Sequence, residues 1–231
     1  MKDHFEIDEE IELYYGNKFS KTRLLWELIA NADRVINNVY IFKNFDEYCR
    51  QLNSDQQEDK LEIYWNASYY EKLIDFIKIV VAFETFNKAL LIKNGFLIHK
   101  IDNSFSNKEL QRRQFKGIPI KIDEFYLNNY TSLDISTQKA VLNGLTKNLS
   151  TINFSHTLND DYQSIIKLDK TLVYHLKEIN MKRNRLHFYS DFKGAYNVQD
   201  HIGKWKYIKE TSVKTIRNEL IKIYEELKNC D

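Results

Sequence analysis

Residues 180–192 read NMKRNRLHFYSDF. Arg183 and His187 stand four apart, with Asn184 directly after the arginine. On one helix that spacing puts both side chains on adjacent turns of the same face. The guanidinium keeps its charge and can offer two parallel donors to a phosphate. The imidazole titrates near neutrality and can carry a proton. Together they suit phosphoryl-transfer chemistry on RNA. The sequence shows no carboxylate cluster patterned for magnesium and no glycine-rich loop to cradle a nucleotide. Hydrolysis at these residues would therefore be metal-independent, and no cofactor is expected.

The helix that must position them carries an apolar stripe. With Leu172 set at zero and about 100° per residue, Leu176 falls near ~40°, Ile179 near ~340° and Leu186 near ~320°. Arg183 falls near ~20°, inside the stripe, and His187 near ~60°, at its margin. Lys182, Arg185 and Glu178 fall on other faces and read as solvated. An arginine among leucines needs a partner, because a desolvated unpaired charge is costly. It can snorkel to water at a helix end, pair with a buried carboxylate, or line a cleft that takes an anion. Glu84 also interrupts an apolar face, that of Val80, Val81 and Leu91, so an Arg183–Glu84 pair is the structural alternative to a site.

The rest of the chain must supply the scaffold. Its 231 residues are enough for a real core, and 43% of them are hydrophobic, which excludes a disordered chain. With 6 Gly and 1 Pro the sequence has too few turn residues for an all-β sandwich of this length, so long helices are expected. The net charge is +1, which gives no overall signature for nucleic acid. Basic residues nevertheless cluster at Lys108, Arg112, Arg113, Lys116 and Lys121, at Lys182, Arg183, Arg185 and Lys193, and at Lys204, Lys206 and Lys209. Such clusters are usually solvated faces. Cys49 and Cys230 form no spaced framework, so neither a disulfide scaffold nor a cysteine zinc site is expected. MKDHFEIDEE has no signal-peptide pattern. The longest apolar run is broken by Asp75, Lys78 and Glu84, which argues against a membrane span. A cytoplasmic location is the expectation.

Helical periodicity starts near Ser20, a candidate N-cap, and runs through Leu24, Leu25, Leu28, Ile29, Ala32, Val35, Ile36 and Val39. A short helix is predicted over 45–52. The strongest helix is predicted over 67–94. Its middle, LIDFIKIVVAF, is apolar nearly all round and suits the centre of a bundle. Gly95 is placed to end it. FLIHKID and GIPIKIDEF read as extended, so a small irregular or β-containing insertion is expected around residues 96–133. Further helices are predicted over 136–149, 165–188 and 211–228, with DFKGAYNVQDHIGKW as a connecting loop. The expected fold is all-α: one domain over residues 1–231, an antiparallel helical bundle with a basic insertion.

RNRLHF at a helix end, following a long helix that ends ETFNKALLIKNGFLIH, resembles the HEPN superfamily of small helical domains. That resemblance implies a metal-independent endoribonuclease of the toxin–antitoxin, phage-defence or RNA-processing kind. It implies that Arg183 steadies charge on the scissile phosphate, that Asn184 is the polar residue after it, and that His187 helps an RNA 2′-hydroxyl attack the adjacent phosphorus. It also implies a homodimer in which the two copies of these residues share one cleft, RNA as substrate, and an antitoxin or defence partner. The family motif has four to six residues between Arg and His, whereas only Asn184, Arg185 and Leu186 separate them here. The shortened Arg-x3-His version leaves an alternative, a non-catalytic HEPN-like module for dimerisation and protein or nucleic-acid binding.

Overall fold

The structure, a computed structural model, describes residues 18–52, 69–129, 150–184 and 198–229. The described residues are mainly helical, as expected, and among them no residue belongs to a β-strand longer than an isolated bridge. The helices are α1 (Lys18–Asn37), α2 (Tyr40–Lys43), α3 (Phe45–Leu52), α4 (Tyr69–Lys93), α5 (Lys108–Phe115), α6 (Ile122–Asn129), α7 (Phe154–Thr157), α8 (Asp160–Ile166), α9 (Lys170–Asn184) and α10 (Val198–Lys228). The helix expected over 136–149 lies outside the described residues. None of the described helices is long and apolar enough to cross a membrane.

The described residues fall into two compact units. One comprises residues 18–29, 84–129, 150–167 and 221–229, and the other residues 30–52, 69–83, 168–184 and 198–220. In the first, α4 ends at Gly95, whose φ of +76° lets the chain turn back. The Gly95 amide donates to the Ile92 carbonyl at 3.0 Å and the Phe96 amide to the Leu91 carbonyl at 2.9 Å, so the last carbonyls of the helix are satisfied. The chain then runs extended between two neighbours. Bridges join Phe96 to Lys121 on one side and His99 to Thr151 on the other. The buried Gln114 side chain completes this arrangement. Its oxygen accepts from the Ile101 amide at 2.8 Å and its nitrogen donates to the His99 carbonyl at 2.8 Å.

The insertion thus departs from the extended reading. Residues 108–115 and 122–129 are helices, and among the described residues only single bridges represent the expected β structure. Asn107 caps α5 by accepting from the Glu109 and Leu110 amides. Asp123 and Glu124 in the first turn of α6 favour its start electrostatically. Gly117, also at φ +76°, closes α5. A Cβ there would lie 2.7 Å from the Asn159 side-chain nitrogen, which donates to the Gly117 carbonyl at 2.8 Å. Only glycine combines that φ with that close approach.

In the second unit, Trp205 of α10 stacks on Phe76 at 5.9 Å and meets Phe42 edge-on at 6.4 Å. These rings bring α2, α4 and α10 onto one apolar centre. Asp75, fully buried, accepts from the Tyr40 and Ile41 amides at 2.8 and 3.0 Å. A carboxylate borrowed from α4 thereby caps α2, whose own N-cap residue, Val39, has no side-chain acceptor. Lys78 braces the same corner through the Asn38 carbonyl at 2.8 Å. The polar breaks in the long apolar run therefore hold a helix start. Ile74, Ile77 and Val81 of α4 are exposed, so the helix is not enclosed on every side as its composition predicts.

Two boundaries differ from expectation. The predicted helix over 165–188 is broken: Lys167 adopts the left-handed conformation at φ +60° and ends α8, and α9 starts afresh at Lys170. Of the predicted connecting loop over 191–205, residues 198–205 are instead the first part of α10, with Gly203 inside the helix, and residues 191–197 lie outside the described residues. Buried Trp205, Ile208, Ser212 and Ile216 keep helical spacing through it, and that burial outweighs the cost of about 1 kcal/mol for an internal glycine.

Candidate functional site

Asp169 fixes the start of α9. Its Oδ1 accepts from the Thr171 and Leu172 amides at 2.8 and 3.0 Å, and the Tyr207 hydroxyl of α10 donates to the same oxygen. The Tyr207 bond and these amides hold the Asp169 carboxyl below its ordinary range. From this anchor the helix buries Leu172, Leu176 and Ile179, three members of the stripe expected from the sequence, and Val173 with them. Asn180 is buried in continuation of it, and its Oδ1 has no partner among the described residues.

Arg183 sits in the final described turn, half-buried, one turn beyond Ile179 and Asn180. Its Nε and Nη2 donate to the Asn184 Oδ1 at 3.2 and 3.0 Å. Among the described residues the fork is therefore held by the neighbouring amide. Glu84, the alternative partner considered from spacing, is engaged elsewhere. Its Oε1 takes the Lys88 ammonium at 2.6 Å, and Lys88 also donates to the Thr151 hydroxyl at 2.7 Å. Arg183 and Asn184 are thus brought together, while Leu186 and His187 lie outside the described residues.

The polar side of α9 is more organised than its sequence suggests. Glu178 and Lys182, which read as solvated, are both half-buried. The Glu178 Oε2 accepts from Lys204 Nζ of α10 at 2.6 Å and from His175 Nδ1 at 3.2 Å. The His175 ring lies edge-on to Tyr174 at 5.4 Å and to Tyr207 at 5.9 Å. Burial raises the Glu178 carboxyl, but the hydrogen bonds from Lys204 and His175, with the charges of Lys204 and Lys182, outweigh it and leave the group below its ordinary value. Burial lowers Lys182, and the Lys204 charge lowers it further. One carboxylate thus serves two ammonium groups, with Arg183 the next residue along the chain.

Sequence reasoning missed His175, Glu178 and Lys204 as a group. The i, i+3 spacing of His175 and Glu178 was a signal that could have found the first pair. Nothing in the linear order marks Lys204, because it comes from another helix. Among the described residues no group of three or more His, Cys, Asp or Glu side chains could hold a metal ion.

No family model, no curated protein and no solved structure matches the chain.

Proposed function

We propose that the chain is a metal-independent endoribonuclease of HEPN type, cleaving RNA by 2′-hydroxyl attack at a cleft between two copies of the chain. Arg183 binds the scissile phosphate, Asn184 steadies the guanidinium, and His187 moves the proton. The observation that carries this reading is the placement of Arg183. It continues a buried stripe, it is half-buried, and among the described residues its fork meets a neutral amide. A guanidinium whose charge is not cancelled by an acid can exchange an amide for a phosphate with little electrostatic loss. Lys182 and Lys204 add positive charge along the same end of the helix, with Glu178 their shared counter-ion. A toxin or defence setting, with an antitoxin as partner, fits such an activity.

The second reading is a non-catalytic HEPN-like module that dimerises and binds protein or nucleic acid. The three-residue spacing between Arg183 and His187 favours it, because the family motif is longer. Incubation with total RNA in the presence of a chelator separates the two readings. The nuclease yields fragments ending in a 2′,3′-cyclic phosphate, and Arg183→Ala and His187→Ala each remove them while the protein stays folded. An inert protein that is dimeric by light scattering supports the module.

A further inference from the structure

Helix α5 carries a feature the Arg183 reading does not use. Its buried side holds Leu110 and Gln114, and the Gln114 amide pins the helix to the backbone of His99 and Ile101. The opposite side presents Lys108, Arg112, Phe115 and Lys116, all exposed. These positions span about 100° of the helix, with Phe115 at one margin of the arc, beside Lys108. Phe115 is 86% exposed, so its ring contributes almost nothing to the core. Over residues 108–116 there are four cations (Lys108, Arg112, Arg113, Lys116) against the single carboxylate Glu109, a local charge of +3 in a chain whose total is +1.

The partners of these charges leave the face positive. Arg113 points aside to Glu124. Arg112 meets Glu109 at 3.0 Å, but both side chains are more than half exposed, so the pair is loosely held. Lys108 donates to the Asn103 carbonyl, a neutral acceptor, at 2.7 Å. Cations in a last turn also complement the helix dipole, and that would account for Arg112 and Lys116. It gives no reason for a phenyl ring standing in water among them.

We propose that this face of α5 binds single-stranded nucleic acid. A base stacks on the Phe115 ring, and Lys108, Arg112 and Lys116 hold the flanking phosphates. Unpaired bases offer a flat π-face to an aromatic platform, and their backbone supplies anions to a ridge whose net charge is positive. A duplex hides its base faces and cannot use the ring. The anchoring by Gln114 and the closed turn at Gly117 keep the platform fixed before binding, so little ordering is required. This surface stands independently of Arg183.

The test is fluorescence anisotropy on the full chain with labelled 12-mers of oligo-uridine, oligo-deoxythymidine and a duplex of equal length. Both single strands bind, and tighter binding of one over the other names the source. Phe115→Ala weakens the single-strand complex by about 5- to 150-fold, the range for loss of one stacked base, while Phe115→Trp retains it. Lys116→Gln reduces the slope of log K against log salt by about 0.7, one phosphate contact on a single strand. Unaltered melting temperatures exclude unfolding as the cause. Equal affinity of wild type and Phe115→Ala overturns the proposal, as does duplex binding as tight as single-strand binding. Self-association lost in Phe115→Ala, with no oligonucleotide bound by wild type, overturns it in favour of a protein contact. Oligo-deoxythymidine lacks the 2′-hydroxyl and cannot be cleaved by the proposed attack, so the Phe115 dependence of its binding is read apart from RNA cleavage and the two readings fail separately.

Discussion

Replacing Glu178 with glutamine tests whether the polar side of α9 is organised as described. The substitution keeps shape but removes the charge that Lys204 and His175 share at 2.6 and 3.2 Å. Hydrogen bonds to a charged group contribute about 1.5–3 kcal/mol each when well shielded. Here the Glu178 and Lys204 side chains are each 25% exposed, so water screens part of the attraction. We therefore expect a loss of about 2 kcal/mol for the whole change, the two bonds together at the low end. In a chain of this length that lowers Tm by about 4–8 °C. The pH dependence carries the sign. The folded protein holds the Glu178 carboxyl below its ordinary value, so the stabilisation is present above the ordinary glutamate range and is lost as the pH falls through the depressed folded value. Urea melts of wild type and Glu178→Gln should therefore differ at pH 7 and converge as the pH drops below the glutamate range. Coincident melts at pH 7, or a gap that persists undiminished at low pH, would refute the shared-carboxylate reasoning.

Asp75→Ala strands one buried and one part-buried amide donor at the start of α2 and should cost about 2–4 kcal/mol, read as a fall in urea midpoint with an unchanged slope; a change below about 1 kcal/mol would mean the carboxylate does not hold the helix start. His99 is pushed down to about 4, first by burial and then by the Lys88 charge. Its neutral form is favoured in the folded state, so its contribution is complete above the ordinary histidine value and is lost as the pH falls from there towards the folded value, about 3 kcal/mol in all. His99→Gln should flatten the stability profile across that interval, and an unchanged profile would show that His99 is not the group responsible.

Periodicity located the long elements well. α3 matches its predicted bounds, α4 is helical from the first described residue, Tyr69, and ends one residue early at Lys93, and Gly95 ends it in the left-handed conformation. These features are set by local chemistry: an apolar repeat and a residue free to take positive φ. The misses lie where local signals compete. Ser20 looked like a cap, yet it stands inside α1, which is already helical at Lys18. GIPIKIDEF alternates like a strand, but its acidic residues open α6. Lys167 takes positive φ without any glycine to announce it, and the capping oxygen of Asp169 two residues later was the overlooked sign. Gly203 suggested a loop, whereas burial of Trp205 and Ile208 carries the helix through it.

The candidate site divides in the same way. The stripe through Leu172, Leu176 and Ile179, and the place of Arg183 beyond it, were readable from a helical wheel. The bonding of Arg183 to Asn184, the Lys88 partner of Glu84 and the reach of Lys204 to Glu178 were not. Each is a choice among several partners of similar charge, and a sequence does not rank partners that depend on where separate elements meet. The basic segment from Lys108 to Lys121 shows the same limit. Its charge is plain in the sequence, but the exposure of Phe115 among the cations is a property of the folded helix.

The central claim, that Arg183 exists to meet a phosphate, is tested most directly by single-turnover cleavage of a labelled RNA in excess chelator, wild type beside Arg183→Ala. The account predicts a cyclic-phosphate product from wild type and a rate at least 100-fold lower in the variant, about 2.7 kcal/mol of transition-state stabilisation. Equal rates for the two proteins would contradict it.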